Sequence, residues 1–181
     1  EAQGRQEIVR SNVAPRVMVY GEVMVSGPLV FAETDPGDNW YLDLVVVLAP
    51  HRVHAIGQVW FDDQPVGEIN AAGAVTTGRF AGVAWIWKYD GTQTAADPGL
   101  VARHPSKWTA QHVGRGCAYL VVRLYYTRDV YPSGIPNVKA VVRGKPLDDP
   151  RDGQVRYSTN WALVVRDYLT TAMIEGGLGA G

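Results

Sequence analysis

Residues 40–49 predict a β-strand that is covered on both of its faces. The segment starts as an alternation, with Leu42 and Leu44 on one parity and Tyr41 and Asp43 on the other, and is then continuously apolar from residue 44 to residue 48. A two-residue period is typical of a strand with one buried face, whereas an unbroken apolar run is typical of a strand buried on two. The chain is therefore expected to fold around a sheet with structure on each side.

Shorter strand patterns surround this run, and residues that favour turns separate them. Alternation or short apolar runs predict strands at 17–25, 29–32, 52–61, 82–89, 117–126 and 138–142. The residues between them are rich in Gly, Pro, Asp and Asn, with a hairpin expected at 35–39 and further turns at 62–65, 90–91 and 148–153. With 20 glycines and 11 prolines in 181 residues, many turns and few long helices follow.

One helix is predicted near the C-terminal end. Apolar residues recur there at spacings of three and four from Trp161 to Leu169, and Ser158, Thr159 or Asn160 can cap the first turn. Residues 92–116 are interpreted as an irregular excursion with at most one short helical turn. The predicted fold class is mainly β, a β-barrel or β-sandwich-like domain with one short C-terminal helix; an α+β fold with two small domains is the alternative.

The predicted domain organisation has three parts. Residues 1–15 are a polar N-terminal segment, and residues 16–150 are a β-rich domain. Residues 151–181 contain a turn, a helix and a Gly-rich end that we expect to be truncated. The third part is interpreted as the start of a further domain, or as packing onto one. No signal-peptide pattern is visible, and the chain is expected to be a piece of a longer protein.

Charge and cysteine content exclude several classes of protein. The chain has 17 basic and 18 acidic residues, a formal net charge of -1, so bulk electrostatics give no support for contact with nucleic acid or anionic lipid. A single cysteine cannot form an internal disulfide. The longest apolar run, 44–49, is far shorter than the roughly 20 residues of a membrane-spanning helix.

The histidines do not have the spacing of a metal site. His51 and His54 would point to opposite faces of a strand, and His104 and His112 have only Cys117 near them in sequence. Because no second cysteine completes a zinc pattern, hydrogen-bonded or solvated histidines are favoured.

Other patterns that carry chemistry in enzymes are incomplete. The pairs at 62–63 and 148–149 are adjacent aspartates beside proline, for which turn capping is favoured over acid–base catalysis. Ser133 lacks a nucleophile elbow, and Cys117 heads an apolar strand. The glycines at 177, 179 and 181 follow a helix and not a strand, which argues against dinucleotide binding. No catalytic, cofactor-binding or metal-ligating residue is predicted.

The aromatic residues allow two interpretations. They could form a platform that stacks on sugar rings, or they could lie in the core and in subunit interfaces, where Trp and Tyr are enriched. The second interpretation is favoured. The residues concerned are Trp40, Tyr41, Trp60, Phe61, Trp85, Trp87, Trp108, Tyr119, Tyr125, Tyr126 and Tyr131.

An ordered series of sequence blocks resembles the hub region of phage tail tip proteins, the host specificity protein J-like family. The resemblance covers about residues 15–170. The blocks are VYGEV (19–23), SGP (26–28), LDLVVVLA (42–49), VWFDD (59–63), GTQTAAD (91–97), WTA (108–110), GIPNVKAVVRG (134–144), DPRDG (149–153) and ALVVRDYL (162–169).

This resemblance implies a structural virion protein of a phage or prophage, made in the cytoplasm of the bacterial host. It implies a β-rich hub segment that closes the distal end of the tail tube, assembles as a homotrimer with other tail proteins, and connects the tube to host-recognition regions. It implies no enzymatic activity and no cofactor. A carbohydrate-binding β-sandwich that uses the tryptophans is the alternative function, and a cell-wall or polysaccharide hydrolase is a weaker third.

Overall fold

The structure, a computed structural model, describes residues 17–171. This part of the chain forms ten strands and two helices. The strands are β1 (Glu22–Ser26), β2 (Leu29–Asp35), β3 (Asp38–Ala49), β4 (Ala55–Phe61), β5 (Gln64–Pro65), β6 (Ala84–Tyr89), β7 (Ala118–Tyr125), β8 (Val138–Arg143), β9 (Leu147–Asp149) and β10 (Gln154–Arg156), and the helices are α1 (Pro98–Arg103) and α2 (Trp161–Thr170).

Two four-stranded antiparallel sheets and one small hairpin organise these elements. The first sheet has the strand order β2-β3-β7-β6, and the second sheet has the order β1-β8-β4-β5. Strands β9 and β10 pair only with each other within the described chain. The predicted hairpin at 35–39 is confirmed, because β2 and β3 are antiparallel and Asp35 lies opposite Asp38.

The main core lies between the two sheets. Leu44 and Val46 of β3 and Leu120 of β7 are buried from the first sheet, and they share one cluster with Val59 of β4 and Val142 of β8 from the second. Two facing antiparallel sheets with alternating inward residues form a sandwich. The predicted mainly β, sandwich-like fold with a short C-terminal helix is thus confirmed.

The opposite face of the first sheet carries a second core. Val45 and Val121, which are paired across β3 and β7, are buried there together with Leu100 of α1. The covering segment, residues 90–116, lies over this face, and we call it the strap. Strand β3 is therefore enclosed on both sides, as the apolar run at 44–48 predicts.

The strap contains a longer helix than the sequence interpretation allowed. Helix α1 has six residues, and its start is fixed by Asp97, whose side chain accepts a hydrogen bond from the backbone N–H of Leu100, and by Pro98 in the first turn. An N-cap aspartate followed by proline is a recognised helix start signal. Pro98 begins the helix, and Pro105 lies just beyond its C-cap, so neither proline interrupts it.

The first strand is shorter than predicted. It begins at Glu22 and not at residue 17, because the backbone of Val19 is engaged elsewhere. Its N–H donates to Nε2 of His51, and its carbonyl accepts from the N–H of Lys145. The predicted turn at 148–153 is also narrower, since β9 extends to Asp149.

Helix α2 confirms the predicted C-terminal helix. Of the three candidate caps it uses Asn160, whose side chain accepts from the N–H of Ala162. Leu163 is buried, and Asp167 accepts hydrogen bonds from Tyr20 and from the Lys145 ammonium, which fixes one face of the helix to the body of the domain. Neither helix in the range 17–171 has the length and apolarity needed to cross a bilayer.

Two predicted segments lie outside the described residues, namely the polar segment 1–15 and the Gly-rich end at 176–181. The boundary placed between residues 150 and 151 stays a prediction. Strands β9 and β10, which lie on either side of it, pair with each other.

Candidate interaction surface

An aromatic surface lies on the part of the first sheet that the strap leaves open. The strap covers the half of this face around Val45 and Val121. At the other end of the same strands, three half-buried aromatic side chains lie on this face, and we call Tyr41, Trp85 and Tyr125 the aromatic patch. Two exposed aromatic side chains, Trp40 and Tyr126, lie at the same strand ends but on the opposite face, which is the face of Leu42 and Leu124, and we call them the Trp40–Tyr126 stack.

Strand register brings the rings of each of these two sets together. Tyr41 of β3 lies opposite Tyr125 of β7, with ring centroids 5.0 Å apart, and the ring of Trp85 on β6 lies 6.0 Å from that of Tyr41. Trp40 and Tyr126 stack at 6.5 Å with an interplanar angle of 17°. Cross-strand aromatic pairs stabilise a sheet, and exposed ones also offer a rigid contact surface.

Arg123 connects the patch to a group of charged residues. Its guanidinium carbon lies 4.2 Å from the ring centroid of Tyr41, a cation–π distance. The same guanidinium donates to Asp35 at 2.6 Å and lies 3.4 Å from an oxygen of Asp43. An arginine held from two sides in this way has a fixed orientation beside the rings, which favours specific contact with another molecule.

Asp43 lies at the centre of the charged group and is completely buried. Arg103 of α1 donates to both of its oxygens, at 3.0 and 2.8 Å, and Nε2 of His104 lies 2.9 Å from Oδ2. A buried carboxylate needs charged or hydrogen-bonding partners, and here the strap supplies two of them. Asp43 therefore attaches the strap to the sheet.

Asp35 is a further acidic member of this group. Its carboxylate accepts the N–H of Gly37, and this hydrogen bond, with the nearby charge of Arg123, lowers its pKa. The ionised form is thus favoured in the folded state. Asp35 and Arg123 form a persistent ion pair at the rim of the aromatic patch.

Buried tyrosines fix the base of the strap. The hydroxyl of Tyr89 donates to Asp97 at 2.6 Å, and its ring stacks on that of Tyr119 at 4.6 Å. Burial raises the pKa of Tyr89 above its ordinary value and raises the pKa of Tyr119 to about 12. Both phenols keep their protons near neutral pH, so their role at this position is structural.

The four histidines have separate environments. Nε2 of His51 accepts from Val19, His54 stacks on Tyr157 at 5.1 Å, His104 contacts Asp43, and Nδ1 of His112 accepts from the N–H of Thr109. Over residues 17–171, no group of three His, Cys, Asp or Glu side chains has an arrangement that could hold a metal ion.

The paired aspartates lie in or beside turns. Asp62 has a left-handed backbone with φ of 53° and accepts from the N–H of Asn137, while Asp63 pairs with Lys139 at 3.0 Å. Asp148 pairs with Arg166 of α2 at 2.9 Å. These contacts are structural, as turn capping and pairing predict.

Asp149, Ser133 and Cys117 have different surroundings. Asp149 is buried and is held by Arg151 and Arg156, which lower its pKa. Ser133 borders a cleft of about 100 Å³ formed with Phe61 and Phe80. Cys117 is half-buried and directly precedes β7. The glycines at 177, 179 and 181 lie beyond the part of the chain that the structure describes.

The predicted aromatic set divides between interior and surface. Phe61, Tyr119 and Tyr131 are buried, which confirms the core interpretation for them. Trp85 and Trp87 have the same parity on β6, but Trp87 packs in the strap core with the Arg103 guanidinium 5.9 Å above it, whereas Trp85 belongs to the patch. Sequence alternation alone cannot make this distinction, because it depends on how far the strap extends across the sheet.

The charged group was missed by the sequence reasoning. One signal was present: Asp43 is a lone carboxylate within a strand predicted to be buried on both faces, and such a residue requires buried partners. Their identity was not visible, because Arg103 and Arg123 lie 60 and 80 positions away in sequence.

Comparison with known proteins finds similarity among solved structures. Neither the known protein families nor the curated proteins include a match to this chain. Among solved structures, a chain from the virion of a native gene transfer agent (GTA) particle is similar, with a TM-score of 0.50 and 20% sequence identity. The match covers 80% of this chain but 30% of that chain, so the present sequence spans less than a third of its neighbour's length. At this identity the similarity shows a shared fold.

Proposed function

We propose that this chain is a structural component of a phage or prophage tail tip. It serves as a hub segment that closes the distal end of the tail tube and connects the tube to host-recognition regions. The observation that carries the proposal is the fold, which a chain of a gene transfer agent virion shares over 80% of the present sequence. The ordered tail-tip sequence blocks at 19–169 support the same assignment independently.

The aromatic patch and the Trp40–Tyr126 stack, which lie on the two faces of one end of the first sheet, are the contact surfaces in this proposal. Trp, Tyr and Arg are the residue types most enriched among the energetically dominant positions of protein interfaces. The patch presents Trp and Tyr rings next to Arg123, whose orientation Asp35 and Asp43 fix. A rigid surface of this composition fits a neighbouring tail protein, which would complete the half of the sheet that the strap does not cover.

The finer features of the proposal follow from the family resemblance. Three copies surround the tail axis in the virion, bound to tail tube and tail tip proteins. The segment contacts no nucleic acid, has no enzymatic activity, and is synthesised in the bacterial cytoplasm before it joins the particle. Turnover assays on cell-wall polymers are accordingly expected to show no hydrolysis.

Immunogold labelling tests where the chain resides. Antibodies raised against residues 17–171 are applied to purified particles from the strain that encodes the chain. Labels at the tail tip are expected. Labels confined to capsids, or to no part of the particle, would contradict the proposal.

The role of the Trp40–Tyr126 stack is tested by incorporation into particles. Trp40→Ala combined with Tyr126→Ala removes its two exposed rings, and we expect at least a tenfold loss of the chain from purified particles, since dominant interface residues each contribute about 2 kcal/mol or more. Ile135→Ala, at an exposed apolar residue of the loop before β8, is the matched control. Equal incorporation of both variants would exclude the stack as a contact.

Carbohydrate binding is the second candidate function. The exposed, nearly parallel Trp40–Tyr126 stack favours it, because flat rings suit a pyranose face. Glycan-array screening with Trp40→Ala, Trp85→Ala and Trp87→Ala tests this candidate. A carbohydrate platform at the Trp40–Tyr126 stack requires binding that is lost in Trp40→Ala and retained in folded Trp85→Ala and Trp87→Ala, whereas no binding to any glycan removes this candidate.

A further inference from the structure

Helix α2 presents an apolar face that nothing in the described chain covers. Trp161 is 76% exposed, and Val165, Tyr168 and Leu169 are each exposed by about two fifths. Their spacing of four, seven and eight residues from Trp161 places them on one side of the helix. The opposite side holds Leu163 and Asp167, which fix α2 to the domain.

The small hairpin extends this face. Val155 of β10 is 67% exposed and lies opposite Asp148 of β9, whose carboxylate accepts from Arg166 of α2 at 2.9 Å. Neighbours paired across strands point to the same side of a sheet, so Val155 lies on the side of the hairpin from which Asp148 reaches Arg166. We call the combined surface of Trp161, Val165, Tyr168, Leu169 and Val155 the α2 face.

The charged groups around the α2 face are already paired within the chain. Arg166 binds Asp148, and Arg156 binds both Asp149 and Asp152, at 3.1 and 2.6 Å. No excess of one sign therefore borders the face in the described structure. A surface that is apolar in the centre and neutral at its rim can meet an identical surface without repulsion between like charges.

We infer that the α2 face binds the α2 face of a second copy of this chain. In an antiparallel arrangement about a twofold axis through Val165, each Trp161 lies over Leu169 of the other copy, which matches a large side chain to a smaller one. The antiparallel orientation also opposes the helix dipoles favourably. This contact does not depend on the proposed tail-tip function.

The area suffices for a weak, specific dimer. An exposed aromatic side chain carries on the order of 200 Å² of surface, so the five exposed fractions amount to roughly 500 Å² per copy and about 1,000 Å² for the pair. That is the lower limit of a specific interface, so the association is expected to be weak and to depend on concentration.

Mass measurement on the full 181-residue chain tests the inference. Sedimentation equilibrium is expected to give twice the monomer mass of 19.8 kDa at high concentration and the monomer mass on dilution. Val165→Arg places two guanidinium groups opposite each other at the axis and is expected to weaken dimerisation at least tenfold. Val30→Arg, the same change at an exposed valine of β2, is the matched control and should leave the dimer intact.

A crosslinking experiment tests the geometry independently. In a Cys117→Ala background, Val165→Cys is expected to give a covalent dimer with a short thiol crosslinker, because the residue on a twofold axis meets its own copy. Val30→Cys should give none. A chain that remains monomeric or is trimeric at about 100 µM, or equal crosslinking of the two cysteines, overturns the inference. Because these measurements use the isolated chain, a negative result would not bear on the tail-tip proposal, which the labelling experiment tests separately.

Discussion

Asp43 is the residue on which attachment of the strap depends most. Two arginines and a histidine converge on its buried carboxylate. Asp43→Asn removes the charge but leaves Arg103 and His104 in place, so we expect the free energy of unfolding to fall by about 3 kcal/mol. Urea denaturation measures it. Asp63→Asn, at an exposed ion pair with Lys139, should cost less than about 1 kcal/mol, and equal losses in the two variants would disprove the central role of Asp43.

His51 makes stability depend on pH. Because its Nε2 accepts from Val19, the proton is on Nδ1, which donates to the carbonyl of Arg52 at 2.8 Å. Burial lowers the pKa of His51 below the ordinary value of 6.5, and the positive charge of Lys145 acts in the same direction. The unfolded chain then binds the extra proton more readily, so stability is lost as the pH falls through 6.5 towards the folded pKa.

The measurement for His51 is the difference in pH slope between two proteins. Unfolding free energies at about pH 7.5 and pH 5.5 should fall more in the natural chain than in His51→Gln, whose amide oxygen can still accept from Val19 but does not titrate. Identical slopes would show that His51 is not responsible.

The aromatic residues show which part of the candidate surface can be predicted from sequence. The aromatic residues were identified as contact candidates, since Trp and Tyr are conspicuous by type. Their division into core and patch was not predictable, because Trp85 and Trp87 have the same chemistry and the same parity. Only the position of the strap, which contacts Trp87 but leaves Trp85 open, decides which of the two is covered.

At the scale of elements, the strap is a compact cover fixed at its centre by α1. Leu100 is the fully buried residue of that helix and packs with Val45 and Val121. Leu100→Ala leaves a cavity in the strap core, and we expect a loss of about 3 kcal/mol of stability. Val101→Ala, on the half-buried side of the same helix, should cost clearly less. Comparable losses from the two would indicate that the strap is not held through this side chain.

The elements that sequence predicts best are those with the strongest local patterns. Strand β3 follows from its apolar run, and α2 follows from its spacing of three and four with a capping residue before it. Helix α1 is longer than its sequence pattern predicts, because its start signal, Asp97–Pro98, stands in a segment with little apolar periodicity. The predicted first strand is longer than the observed one. The apolar alternation begins at residue 17, but the backbone of Val19 bonds to His51 and Lys145 and not to a neighbouring strand.

At the scale of the whole molecule, the domain leaves aromatic and apolar side chains exposed at two separate places. The strap completes half of the first sheet's outer face, whereas the Trp40–Tyr126 stack and the α2 face remain exposed at different places. Near-zero net charge and surplus aromatic residues are consistent with a protein that is covered by neighbours in an assembly. The pairing of the sheets and the extent of the strap come from long-range contacts, which sequence patterns do not encode.

An electron cryo-microscopy reconstruction of the tail tip would show where this domain lies in the particle. The particles would come from the strain that encodes this chain. We expect the two-sheet domain to fit density at the distal end of the tail, in three copies around the axis, with the Trp40–Tyr126 stack against a neighbouring subunit. Its absence from the tail tip, with the domain fitted in the capsid or found nowhere in the particle, would disprove the tail-tip assignment.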